Sequence, residues 1–202
     1  DSSTPGSTPA GTSAVNRGMK TEEAARARTI GLVFFFVCCL TAIWAPLLDG
    51  HAPLKLPLIV TLGWFSLFSL YVSWLAKVPE RFSRKVFLIY GISAVAAAQM
   101  ILIYLGPFSP TALAITLGIS FFGQGADRTG ALTICGVAIA SYLVLLILIL
   151  TGAMADVGVF RGTEAGFAGQ LFMTVMVPLV LLVTLAQSRW SRKAVENALE
   201  VA

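Results

Sequence analysis

The sequence predicts an all-α, polytopic membrane helical bundle with six transmembrane helices. Three observations carry this. Hydrophobic residues make up 57% of the 202 residues and charged residues only 12%, about half the charge that keeps a soluble domain of this size wet. The few charges are segregated, leaving long stretches without any. The apolar runs approach the roughly 20 residues that a helix needs to cross a bilayer core. Lipid is therefore the expected solvent. The net charge of +4 is a matter of topology here and does not point to nucleic acid.

Residues 1–20 are rich in Ser, Thr, Pro and Gly and have little to bury, so composition predicts a disordered tail or linker. Thr21 followed by Glu22 and Glu23 resembles a helix start, with acids at the positive dipole end. The six-helix membrane domain is expected over residues 21–188, with spans at about 30–48, 57–76, 86–105, 109–122, 131–150 and 169–187. The first run is long for a signal-peptide core. A cleavage before Pro46 would set the bulky Ile43 at the −3 position, so the run reads as an uncleaved span. Pro57 suits the first turn of the second helix. The fourth run is short, with Pro110 near its start, and suggests a thin or re-entrant crossing. Pro178 interrupts the sixth and frees a backbone carbonyl, a point of flexure.

The loops set the orientation. Arg17, Lys20, Arg26 and Arg28 precede the first span, and Lys77, Arg81, Arg84 and Lys85 follow the second. Arg128 follows the fourth, and Arg189, Arg192 and Lys193 follow the sixth. With six crossings these twelve share one side, and only Lys55 and Arg161 face the other. The positive-inside rule then puts both termini in the cytoplasm. Were segment four not to cross, the basic second loop and the basic C-terminal tail would lie on opposite sides. The aromatic residues Trp44 and Tyr104 fall near expected outer ends, and Trp74, Tyr90 and Trp190 near inner ones, as expected of headgroup anchors.

No catalytic, cofactor-binding or metal-binding residues are assigned. Every acid and base falls outside the apolar cores, whereas ion-coupled carriers place ionisable groups within the bilayer. Cys38, Cys39 and Cys135 lack metal-ligand spacing and read as small packing residues. His51, beside Asp49, is a lone loop histidine, with pH sensing the sharper reading and solvation the plainer one. Gln99 and the helically spaced Ser66, Ser69 and Ser73 form a candidate polar pocket. Interhelical bonding for Gln99, and bonds to their own helix carbonyls for the serines, are the alternatives. The small-residue pairs Ser93/Ala97, Ala94/Ala98 and Gly136/Ala140 permit close helix packing within the chain or in a homodimer. In the stretch FFGQGADR, residues 121–128, Gly123 and Gly125 read as a tight turn, with anion cradling as the alternative.

Residues 189–202 continue the sixth span as a cytoplasmic linker helix. Val195, Leu199 and Ala202 share a face, and Arg192 is spaced to pair with Glu196. The chain starts at Asp1 and ends within this helical pattern, so it reads as a fragment or processed form. Pro178, Trp190, Val195 and Leu199 are the candidate signal-relay residues.

The segment YLGPFSPTALAITLG, residues 104–118, with Phe121 and Phe122 after it, resembles a multi-span membrane module attached to bacterial receptor-type serine/threonine protein kinases. The resemblance covers mainly residues 86–202. It implies a membrane input region, a linker helix and a fused cytosolic kinase domain. No kinase glycine-rich loop, catalytic lysine or metal-binding aspartate lies in this chain, and membrane-bound histidine kinases and nucleotide cyclases share the layout. The expected function is thus a sensor or anchor module that contacts the lipid bilayer and a fused cytosolic output domain. A small transporter or permease for a neutral or lipidic solute is the alternative, and a structural assembly subunit is a further one.

Overall fold

The computed structural model describes residues 9–44, 47, 50–109, 111–112, 115–125, 127–160 and 166–201, with side chains from Thr21 to Lys193, those of Glu22 and Glu23 excepted. Asp49, Pro110, Arg161 and the side chains of Val195 and Leu199 lie outside this set. The described elements are helical: α1 (Pro9–Trp44), α2 (Ala52–Leu75), a single 3-10 turn at Pro79–Arg81, α3 (Arg84–Leu105), α4 (Ile115–Gly123), α5 (Arg128–Leu150) and α6 (Gly166–Val201).

Among the described residues, five helical stretches are long and apolar enough to cross a membrane: Ala24–Trp44, Ala52–Leu75, Arg84–Leu105, Arg128–Leu150 and Gly166–Lys193. Their outward faces carry large apolar side chains. Phe36 is 66% exposed, Leu67 66% and Phe167 78%. In water such continuous patches would drive aggregation. Against lipid tails they match the solvent.

The expected boundaries shift at three places. Helix α1 already runs through residues 9–20, where composition predicts a tail or linker. Once a helix is nucleated, extending it costs little per residue. Helix α2 begins at Ala52, so Pro53 occupies its first turn and Pro57 lies inside it. The largest change is at the fourth run. The helix there has nine residues, about 14 Å at 1.5 Å per residue, against a core of about 30 Å. Residues 109–122 are therefore not a full-length helical span.

The chain nonetheless travels the length of the bundle in this region. At one end, Gly106 follows α3 with φ +106°, and a Cβ there would strike the Phe160 carbonyl. The loop after α5 is seated at this end, with Val159 and Phe160 amides donating to the Tyr104 and Leu105 carbonyls at 3.0 and 2.8 Å. At the other end, Phe122 packs edge-on to Phe87 near the start of α3, with centroids 5.3 Å apart. Segment 106–125 thus returns from the finish of α3 to the level of its start. Gly106, Pro107, Phe108, Ser109 and Ala112 within it are buried. Ser109 Oγ donates to the Gly106 carbonyl at 2.7 Å, and the buried Tyr142 hydroxyl donates to the Pro107 carbonyl at 3.0 Å. Irregular backbone at membrane depth is tolerated where protein satisfies it in this way.

The core centres on Tyr90, stacked on Phe65 at 5.7 Å and edge-on to Phe68 and Phe122 at 5.8 and 5.9 Å. Tyr90 and Tyr104 are fully buried, whereas Trp44, Trp74 and Trp190 are more than half exposed. Only the tryptophans thus stand where headgroup anchors belong. Tyr90 packs inward because its hydroxyl finds an internal partner, Ser69 Oγ, at 3.2 Å.

Candidate functional site

Helix α4 ends at Gly123 and runs into the turn Gln124–Gly125, so the carbonyls of Gly123, Gln124 and Gly125 lie past its last helical turn. Such carbonyls carry the negative end of the helix dipole and call for donors. Three arginines supply them. Arg189 Nη1 donates to the Gly125 carbonyl at 2.7 Å and to the Gly123 carbonyl at 3.4 Å. Arg192 Nη1 donates to the Gln124 carbonyl at 2.7 Å. Arg26 Nη1, from α1, reaches the same Gln124 carbonyl at 3.2 Å. Two remote helices thereby hold the end of the broken segment with charge-assisted bonds.

The glycines allow this approach. A Cβ on Gly123 would lie 2.9 Å from Ser188 Cβ and 3.1 Å from Leu185 Cδ1 of α6. Ser188 Oγ and Ser120 Oγ stand 3.3 Å apart in the same seam. The turn does not offer an anion cradle: its Gln124 and Gly125 amides already donate to the Phe121 and Phe122 carbonyls. It presents carbonyls, and cations meet them. Asp127, just beyond, is bound by Arg84 Nε at 2.7 Å, linking the starts of α3 and α5.

The expected polar-pocket residues are distributed over three interfaces. Gln99 Nε2 donates to Ser141 Oγ on α5 at 2.8 Å. Ser69 meets Tyr90, Ser73 donates to the Arg28 carbonyl at 3.1 Å, and Ser66 lies 3.8 Å from Cys39 Sγ. Each acts as a pin between helices. Of the relay residues, Pro178 is half-buried within α6 and Trp190 is exposed at 78%. His51 is exposed at the start of α2. Cys38 and Cys135 are buried and free. Among the described residues no three His, Cys, Asp or Glu side chains gather as a metal site.

Gly136 and Ala140 both face outward from α5, and a Cβ on Gly136 would meet nothing within 4 Å. The third-helix small residues have a different use. Ala94, Ala97 and Ala98 border an apolar cavity of about 140 Å³, together with Phe34 and Cys38 of α1 and Ile115 of α4. It lies where the shortened fourth segment leaves space beside α1.

Sequence alone marks Arg26, Arg189 and Arg192 as topological charges, and Arg192 also as a partner spaced for Glu196, but does not show the clasp they form. The available signal was a short apolar helix ending in Gly-Gln-Gly on the basic side. Compared with protein-family models, curated proteins and solved structures, the chain matches none; the apolar helices make it a membrane protein.

Proposed function

We propose that this chain is a membrane sensor or anchor module of a signalling protein, crossing the bilayer six times with both termini cytoplasmic. The observation that carries the reading is the bonding of Arg189 and Arg192 on α6 to the carbonyls at the end of α4. Helix α6 is a continuous 36-residue element that runs past this clasp to Val201. A displacement of the broken fourth crossing pulls on two guanidinium anchors and is passed along Trp190, Val195 and Leu199. Pro178 lies above the clasp and gives α6 a place to flex. The output is a fused cytosolic domain, of the protein-kinase type that the resemblance of residues 104–118 implies.

The test is helical phase. In the full-length protein, a two-residue insertion after Trp190 turns the downstream helix by about 200° and is expected to abolish or lock autophosphorylation in membrane vesicles. A seven-residue insertion restores phase to within about 20° and is expected to preserve regulated output. Equal output from both would overturn the relay.

The apolar cavity beside α1 favours a second reading, a small permease for a lipidic solute. Transfer of a fluorescent lipid across proteoliposome membranes, lost when Ala97→Phe fills the cavity, would support it. No transfer above protein-free vesicles would count against it.

A further inference from the structure

Between α5 and α6, at the clasp end of the bundle, lies a groove of about 670 Å³. Arg128, Arg189, Arg192 and Lys193 line it, and its described lining includes no carboxylate. The nearest described acid on α5's approach, Asp127, is already bound by Arg84 at 2.7 Å. Arg128 also opens α5, so the positive end of that helix dipole adds to the field. Below the cations the groove is floored by Leu132, Leu182 and Leu185. Leu132 is 52% and Leu182 53% exposed, so this floor is continuous with the lipid-facing surface. Trp190, exposed at 78%, stands at the rim.

We propose that this groove is a binding site for an anionic phospholipid. The phosphate sits among the four cations and an acyl chain runs down over Leu132 and Leu182. Charge and floor together choose this occupant. A soluble phosphate ester would meet the cations but leave the apolar floor bare, and a zwitterionic lipid would fill the floor but gain little from four positive groups. Both bonds from Arg189 to the α4 turn leave from Nη1, one corner of a planar fork with five donors. Basic pockets between membrane helices at the cytoplasmic level bind anionic headgroups by the same balance. The site stands independently of any relay through α6.

The experiment uses the full chain, purified in neutral detergent and titrated with phosphatidylglycerol while native mass spectrometry counts bound lipid. Wild type is expected to retain one phosphatidylglycerol in preference to phosphatidylcholine. Arg128→Gln with Lys193→Gln, which leaves the α4 clasp intact, is expected to weaken binding about tenfold or more. Leu132→Gln is expected to weaken it without altering the net charge. The control Lys77→Gln with Lys85→Gln removes the same charge outside the groove and is expected to bind as wild type does. Equal loss in this control would make the attraction nonspecific and overturn the site, as would undiminished binding by the groove variant. Competition by glycerol 3-phosphate at concentrations equal to the lipid would overturn the lipid assignment in favour of a soluble anion.

Discussion

Arg189 on α6 donates hydrogen bonds to the carbonyls of both Gly123 and Gly125, at 3.4 and 2.7 Å, across 66 and 64 residues of sequence. This joins the long α6 to the nine-residue α4 and the turn that follows it. Removing the guanidinium leaves carbonyls at a helix end without their donor. Arg189→Gln is expected to cost about 1.5–3 kcal/mol, read as a lowered midpoint of thermal unfolding in detergent. Arg189→Lys is expected to recover only part, because a point charge cannot bridge two carbonyls as a planar fork does. An unchanged midpoint in both variants would mean that the clasp contributes nothing to stability.

Gly123 and Gly136 offer a paired comparison. The Cβ of Gly123→Ala would press on Ser188 at 2.9 Å, an overpacking expected to cost about 1–3 kcal/mol. Gly136→Ala adds its Cβ into open space within α5, where the better helix former is expected to stabilise by about 0.5–1 kcal/mol. Unfolding midpoints moving in the same direction would contradict the α4–α6 seam. A dimer-to-monomer change in Gly136→Leu, followed by light scattering, would show that the outward small-residue face holds a homodimer.

Tyr142→Phe removes the donor that satisfies the Pro107 carbonyl at 3.0 Å. The carbonyl is buried in non-helical backbone, so the expected loss is about 1–3 kcal/mol. Hydrogen exchange is expected to rise selectively in peptides covering residues 104–112. Uniform exchange across the chain would show that the broken segment does not depend on this bond.

Gln99→Leu breaks the 2.8 Å bond to Ser141. In a double-mutant cycle with Ser141→Ala, a coupling of about 0.6–1.7 kcal/mol is expected. Zero coupling would leave Gln99 available for a polar path and return weight to transport of a neutral solute.

The apolar runs made the five long helices legible, because the bilayer demands length and apolarity and both are written in consecutive residues. The fourth run was legible as short. Its division into buried irregular backbone and a nine-residue α4 was not, since that depends on Tyr142, Val159 and Phe160 closing over the carbonyls of residues 104–107. The serine stripe of α2 was visible from spacing, but each hydroxyl's partner was not: Ser69 answers to Tyr90 and Ser73 to the Arg28 backbone. The arginine clasp was hidden for the same reason. Its acceptors are backbone carbonyls, which have no residue-type signature, and its donors come from segments far apart in the chain.

The proposed six-span topology requires segment 106–125 to carry the chain across the membrane despite its short helix. In a background with Cys38, Cys39 and Cys135 replaced, single cysteines at Lys77, Gly152 and Lys193 are labelled in intact cells with a membrane-impermeant maleimide, before and after permeabilisation. The account predicts that Lys77→Cys and Lys193→Cys share one side and Gly152→Cys lies on the other. Lys77→Cys and Lys193→Cys on opposite sides would contradict it, because the fourth segment would then not cross.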